Sequence, residues 1–467
     1  MDICEKYLQD ARKALKSSMF SKPDPIEAMR SYEGAAQCFE NARQYDRAAE
    51  CYIETANMLI DKEPLKAAEV IEKAAACSAR SGGPSKEYYL KAAEVFREYA
   101  VKQYRQSPDK GLQLLQRAAE DYEKAGDSKK AIKCYEVGAE VSLKRGDFLN
   151  AIVFYGVAGQ HFERRREYKK AVKYYHQVAK LWDKQNVPEN VAENYSRMAS
   201  SLKIIGENEY ASQFSIKAAE KYKQAGETYK SAKAYENAAQ TQEAEEKFRK
   251  SAELYSKSAE IILLLKNMDK YEELYEKTAE NYLEAGDVQQ SVDTRMMLAE
   301  TFTDDPYRCS KHFEKAIDSV ENDPDLKLTL LKKQGEVLLE MHDYLKAARS
   351  LKQAAELTEN MGESAADIYK KAGNAFVEYV KSMKKVKNQS MAQEGQKQAA
   401  LCFEKAGMSE KAQEIREDVV PDTGKRQKQI REELNQLKKD FDNGLLSPIH
   451  YRQMKEGYDE LLKNITQ

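Results

Sequence analysis

The residues in this 467-residue chain with chemistry to offer are five histidines, seven cysteines, paired acids such as Glu245-Glu246, and the basic run "ERRREYKKAVKYY" from Glu163 to Tyr175. A metal centre needs His, Cys or carboxylate ligands at recurring short spacings. His161, His176, His312, His342 and His450 show none, and His161 and His176 fall fifteen residues apart on different predicted helices. They read as surface or packing residues. The cysteines form no C-x-x-C, which argues against a zinc site or a disulfide framework. Four of them directly precede an aromatic (Cys38-Phe39, Cys51-Tyr52, Cys134-Tyr135, Cys402-Phe403), the pattern of a small thiol packed in a core. Phosphate-loop, dinucleotide, zinc-protease and serine-hydrolase signatures are all missing. The 29 tyrosines raise the idea of base stacking, but they fall at repeat positions, which is core behaviour. The chain reads as a non-enzyme with no cofactor.

The elements that carry these residues follow a fixed rhythm. Around each helix break, an aromatic or leucine lies four residues before, an alanine five after and an aromatic nine after. Phe39, Arg43, Ala48 and Tyr52 obey this, as do Tyr122, Gly126, Ala131 and Tyr135, and Phe162, Arg166, Ala171 and Tyr175. Tyr222, Gly226 and Tyr235 fit with Ser231 in the small slot. From Gly126 to Gly286 the breaks sit at multiples of twenty, with 186 and 246 degenerate. An Ala-Gly-Asp break supplies a left-handed glycine and then an acidic N-cap. The helix between breaks is ~16–17 residues, or ~25 Å. Alanines such as Ala118, Ala119, Ala131 and Ala139 let helices approach, and no single helix can bury its stripe alone. The expectation is an all-α solenoid of antiparallel pairs, TPR-like with longer helices, about twenty in number. It is predicted to be elongated and monomeric.

Composition supports this. Charged residues are 33% and hydrophobic residues 42%, with only 10 Pro and 20 Gly. Lys+Arg (76) nearly balances Asp+Glu (78), so no global field points to nucleic acid. "MDICEKYLQD" lacks the apolar stretch of a signal peptide, and the longest apolar run is "IILLL" from Ile261 to Leu265. The expectation is a soluble, cytoplasmic protein in which the sequons at Asn194, Asn388 and Asn464 are chance matches.

Residues Glu5 to Ala56 carry more than periodicity. They contain a first helix with "L-x-x-A-x-K", a short loop with an exposed apolar pair, and a helix reading "A-x-x-Y-x-x-A-A-x-x-F-x-x-A". This stretch resembles the soluble NSF attachment proteins (SNAPs), nearest the gamma type. The resemblance is specific over roughly residues 1–80 and repeat-generic from there to about 300. It implies an adaptor of membrane fusion that wraps a bundle of SNARE helices with a basic face and recruits the hexameric ATPase NSF through its C-terminal end. The chain departs from the family in carrying repeats to about residue 417, and "LLKNITQ" has no clear counterpart of the leucine that engages the ATPase.

The tail is a separate object. Residues 1–417 read as the solenoid, 418–426 as a linker containing "PDTGKR", and 427–467 as a helical hairpin. Ile430, Leu434, Leu437 and Phe441 form one stripe, and Met454, Tyr458, Leu461 and Ile465 another, with Ser447 and Pro448 as N-cap and N1. The hairpin is similar to a short C-terminal domain of prokaryotic proteins. Its thin core needs a support, for which self-association or partner docking is favoured over capping of the array.

Two local features point to partners. Arg164, Arg165, Lys169, Lys170 and Lys173, with Lys129, Lys130, Lys144 and Arg145 at similar phases, would form one edge that steers an acidic helical protein surface such as a SNARE bundle; solvated outer faces are the alternative. Met19 and Phe20, in "SSMFSKPD", have no obvious core. They read either as a weak peripheral membrane contact, which is how SNAPs use this loop, or as a hydrophobic staple. Two functions stay open: a SNAP-like trafficking adaptor, or a generic TPR-like protein-interaction scaffold, prokaryotic or archaeal, with no SNARE role.

Overall fold

The computed structural model describes residues 3–16, 23–104, 106–417 and 423–466. Among them are twenty-three α-helices and no strand. The chain is an α-solenoid of antiparallel helices, divided into two units, Met1–Ala238 and Ala239–Gln467. The first holds α1 (Ile3–Ala14), α2 (Pro25–Asn41), α3 (Tyr45–Leu59), α4 (Pro64–Ser81), α5 (Ser85–Tyr104), α6 (Pro108–Ala125), α7 (Ser128–Lys144), α8 (Phe148–Arg164), α9 (Tyr168–Lys184), α10 (Pro188–Ile204), α11 (Asn208–Gln224) and most of α12 (Thr228–Glu243). The second holds α13 (Phe248–Leu264), α14 (Met268–Glu284), α15 (Val288–Thr301), α16 (Pro306–Asp318), α17 (Pro324–Glu340), α18 (Tyr344–Asn360), α19 (Ala366–Lys385), α20 (Gln389–Lys405), α21 (Ser409–Glu417), α22 (Thr423–Asp442) and α23 (Pro448–Thr466). No helix among the described residues is long and apolar enough to cross a membrane.

The break positions keep their register even where glycine is lost. Gly126, Gly146, Arg166, Asn186, Gly206, Gly226, Glu246, Lys266 and Gly286 all take positive φ, twenty residues apart. A non-glycine there costs roughly 1–2 kcal/mol. The closing bonds that hold the turn are the same in both cases: Asp127 N–H to Tyr122 O at 2.8 Å, Glu167 to Phe162 at 2.9 Å, Lys247 to Gln242 at 3.0 Å. The expected acidic caps form at Asp127 and Asp147, whose carboxylates accept from the Lys130 and Asn150 amides. Glu167 cannot fold back so closely and instead accepts from Lys170 and Arg165.

Packing uses the small residues as expected. Ala118, Ala119, Ala139, Ala158, Ala218 and Ala219 are fully buried. Where serine replaces alanine five residues after a break, its hydroxyl is buried and donates to a carbonyl of the preceding helix: Ser231 to Ala219 at 2.8 Å, Ser251 to Ala239 at 3.0 Å, Ser291 to Ala279 at 2.7 Å. The slot thus needs a small residue, and a hydroxyl there satisfies itself. The aromatic nine after the break reaches back to a glutamate three before it. Tyr52 donates to Glu40, Tyr135 to Glu123, Tyr175 to Glu163 and Tyr255 to Glu243, at 2.5–3.2 Å.

Within the first unit, helices of like parity lie side by side. Tyr174 of α9 donates to Glu136 of α7, and Lys221 of α11 pairs with Asp183 of α9. Arg117 of α6 pairs with Glu69 and Glu72 of α4, and Lys230 of α12 with Glu189 of α10. Odd-numbered helices therefore form one layer and even-numbered helices the other.

Three expectations are corrected. Cys38 is not a free core thiol: it is half-buried and bonded to Cys4, 34 residues earlier, because α1 folds back along α2. The other five cysteines are free and buried, as expected of core thiols. Second, α22 begins at Thr423, inside the stretch read as linker, while residues 418–422 lie outside the described residues. Third, the hairpin turns at Gly444 (φ +72°) with Ser447 as N-cap, as expected, but its apolar faces are spent on its own chain. Ile430, Leu437, Tyr458 and Leu461 share one core with Tyr379 of α19 and Met391 of α20. Asn388 donates to the Tyr458 hydroxyl, Gln453 to Asp343 at 3.1 Å, and Arg349 pairs with Glu460. Two short helices close too thin a core alone, and the solenoid supplies the missing walls.

Candidate protein-interaction surface

Helix α9 is where charge concentrates. Ala171, Tyr174, Tyr175, Val178, Ala179 and Leu181 recur at helical spacing and are buried. The opposite face carries Lys169, Lys173, Lys180 and Lys184, all exposed; the one acid of α9, exposed Asp183 beside them, is paired with Lys221 of α11. Lys169 Nζ lies 3.1 Å from Glu207 at the start of α11. Lys173, Lys180 and Lys184 form no ion pair among the described residues. Half-buried His176 lies on this face, its ring 6.5 Å from Phe214 of α11. Burial lowers the His176 pKa, and the ammonium groups of Lys180 and Lys217 lower it further. A neighbouring imidazole thus feels a positive field.

The nine cations singled out in the sequence divide into groups. Arg164 lies 3.3 Å from Glu123 near the C-terminal end of α6, whereas Arg145 lies 3.1 Å from Asp109 near its N-terminal end. Those ends are ~25 Å apart at 1.5 Å per residue. Lys129, Lys130, Arg164, Arg165, Lys169 and Lys170 therefore gather at one end of the stack, and Lys144 and Arg145 at the other. The single edge expected from phase alone does not form, because successive helices run in opposite directions. Lys173 stands one turn along α9, and Lys180 and Lys184 continue its stripe toward the second group. Sequence reading missed these two, together with exposed Lys133 on α7, by following the run of consecutive bases. The 3.6-residue period through Lys169 finds them.

Some of the nine have structural duties. Lys130 stands 5.4 Å over the Tyr122 ring and Lys170 5.2 Å over Phe162, both four residues after a break and facing the aromatic four before it. Arg47 over Phe39 and Lys411 over Phe403 repeat the arrangement. Lys130 also pairs with Glu94, Arg165 and Lys170 with Glu167. Lys129, Lys144 and Lys173 carry no ion pair among the described residues, although Lys173 stands 5.9 Å from the centre of the Tyr174 ring. Met19 and Phe20 lie outside the described residues.

One cluster in the second unit has metal-ligand composition: Glu272, Glu276 and His312 bring ligand atoms within 4.8 Å of one another. Lys311 and Lys315 lie 2.8 and 3.0 Å from Glu276, and Arg308 lies 3.3 Å from Glu272. These cations neutralise the carboxylates, and burial lowers the His312 pKa. The cluster is an ion-pair network joining α14 to α16. The arrangement on α9 has no nucleophile–base pair; it can steer and hold an acidic surface.

A protein-family model described as "Soluble NSF attachment protein, SNAP" matches residues 60–205 and 198–361. Among curated proteins none matches the chain. Solved structures with similarity include BtubC (BKLC) from P. vanneervenii, 17% identical over 48% of this chain and 92% of that one, with a TM-score of 0.28. The apo form of RapI is 13% identical over 61% of this chain and 98% of that one (TM-score 0.25). The TPR2AB domain of yeast Sti1, solved with pHSP90, is 20% identical over 54% of this chain and 98% of that one (TM-score 0.22).

Proposed function

Because this chain belongs to the soluble NSF attachment protein (SNAP) family, we propose that it is a non-catalytic adaptor whose helical scaffold holds an acidic helical protein partner, a SNARE bundle, during disassembly in vesicle trafficking. The observation that carries this reading is the lysine face of α9. Lys173, Lys180 and Lys184 line one exposed stripe and form no ion pair among the described residues, the Asp183 carboxylate beside them being taken up by Lys221, with Lys129 at one end and Lys144 at the other. An acidic coiled bundle presents carboxylates along its length, so a linear array of ammonium groups matches it better than a point cluster does.

Recruitment of an NSF-type ATPase belongs to the same proposal, as does weak membrane contact through Met19 and Phe20, with action at the cytoplasmic surface of membranes. Burying two apolar side chains contributes ~3–5 kcal/mol, enough to support binding only alongside a membrane-anchored partner.

The adaptor reading is tested by binding the full chain to an assembled SNARE helix bundle across a salt series. The expected result is an affinity that falls steadily as salt rises, because exposed charges are screened. No binding at low salt, or binding indifferent to salt, overturns the SNARE assignment.

A further inference from the structure

We propose that Cys4 and Cys38 are a redox-responsive clasp, an oxidisable pair whose closure pins α1 to α2. The two residues are far apart in sequence, yet their Cα atoms stand 5.3 Å apart across the α1–α2 contact, and the sulfurs are bonded. That separation lies within the range a disulfide accepts without backbone movement. This goes beyond the adaptor function, which needs no redox chemistry.

Selectivity comes from the surroundings of the other cysteines. Cys51, Cys77, Cys134, Cys309 and Cys402 are all buried as free thiols. Burial pushes Cys51, Cys134, Cys309 and Cys402 up to about 11, and raises Cys77 as well. Groups held as neutral thiols are poor nucleophiles. Cys38 is half-buried, more open than these five or than Cys4.

The bond matters because α1 is a short terminal helix that the rest of the chain meets on one side only. It is twelve residues long and buries only Cys4, Leu8 and Ala11, while Ile3 faces solvent and the Tyr7 ring lies half open against Gly34 of α2. Helices of this length are marginal without tertiary support. Its polar ties to the body are at the surface and include the exposed ion pair of Glu5 with Arg47 and a side-chain hydrogen bond from Arg12 to Tyr32. Reduction therefore removes the covalent link and leaves α1 held by its non-covalent contacts with the body.

The closing step balances with a hydroperoxide as oxidant. The Cys38 thiolate attacks the peroxide oxygen, the O–O bond breaks, and Cys38 becomes a sulfenic acid. The Cys4 thiol, held against it, then attacks that sulfur, gives up its proton and displaces hydroxide, so that water leaves. Two thiols are oxidised to one disulfide and one hydrogen peroxide is reduced to two waters.

The test compares the full chain reduced with dithiothreitol and the same chain treated with hydrogen peroxide. Non-reducing peptide mapping should find one linked pair, Cys4 with Cys38. Amide exchange over residues 3–14 should be at least ~10-fold slower in the oxidised chain, with α3 to α11 unchanged. Cys38→Ser under peroxide should exchange like the reduced chain; the wild-type comparison stands without it if the variant folds poorly. Exchange over α1 within about twofold in the two states, or peroxide linking other cysteines while Cys4 and Cys38 stay free, overturns the proposal.

Discussion

The ammonium of Lys170 stands 5.2 Å from the centre of the Phe162 ring, across the turn that joins α8 to α9. The same geometry recurs at Lys130 over Tyr122, so it belongs to the repeat. Lys180, ten residues along the same helix, touches no acid and no ring among the described residues. Two lysines of equal charge on one helix therefore do different work, one closing a turn and the other facing solvent.

That difference is measurable. Lys170→Ala should cost ~0.5–1 kcal/mol of stability by loss of the ring contact. It should leave partner affinity within about twofold. Lys180→Ala should do the reverse, with an unchanged melting curve and several-fold weaker binding at low salt. Thermal melts and titrations on both variants decide the matter.

Glycines on α8 give a matched pair. A Cβ at Gly159 would lie 2.8 Å from the Tyr175 ring, which is fully buried and pinned by its bond to Glu163. Gly159→Ala should destabilise by ~1–3 kcal/mol through overpacking. A Cβ at Gly156 meets nothing within 4 Å, so Gly156→Ala should stabilise by ~0.5–1 kcal/mol, the helix preference of alanine. Denaturant midpoints of the two variants should move in opposite directions.

Acidity enters through Asp121. This residue is fully buried on α6, and burial together with the nearby Glu72 carboxylate raises its pKa to about 7, against the pull of Lys124. A carboxyl whose folded pKa lies above its unfolded value holds its proton more tightly when folded. Its contribution is therefore present at acid pH and lost as pH rises from about 4 through about 7, by at most ~4 kcal/mol. Asp121→Asn should flatten the fall in stability over that window. An unchanged pH profile would show that Asp121 is ionised throughout.

Removing residues 421–467 should strip the cover from Tyr379 and Met391. The expected outcome is a lower melting temperature and faster amide exchange in α18 to α20, with the first unit's exchange unchanged. Tyr458→Ala, which removes a buried ring and the bond from Asn388, should cost ~3–5 kcal/mol of hairpin docking. Unchanged exchange in α19 and α20 after truncation would mean that the hairpin does not cap the stack in solution.

Much of the fold was legible because the repeat is written in residues that have only one use. Gly126-Asp127 is both a stop and a cap, and the paired small residues before each break have no other reason to recur. The register at Glu246 was legible only from the period, since glutamate does not announce a left-handed turn, whereas Asn186 is of the kind that tolerates one. The surface was harder to read. Consecutive bases at Arg164 to Arg166 draw the eye, but helix geometry spreads them over a turn and a cap, while Lys173, Lys180 and Lys184 share a face without being adjacent. The Cys4–Cys38 bond was hidden by a 34-residue separation that only the α1–α2 fold-back closes. The docking of the hairpin depended on Tyr379 and Met391, which look like ordinary core positions of α19 and α20.

The lysine face of α9 is the proposed seat of the partner. The most direct measurement is the affinity of the full chain for an assembled SNARE helix bundle at low salt, with Lys173, Lys180 and Lys184 reversed to Glu. The control reverses exposed Lys110 of α6 and Lys203 of α10, which belong to the other layer. The expected result is at least a ~10-fold loss for the α9 variant, equivalent to ~1.4 kcal/mol, and less than about twofold for the control, with both melting like the native chain. Equal losses in the two variants, or none in either, would contradict it.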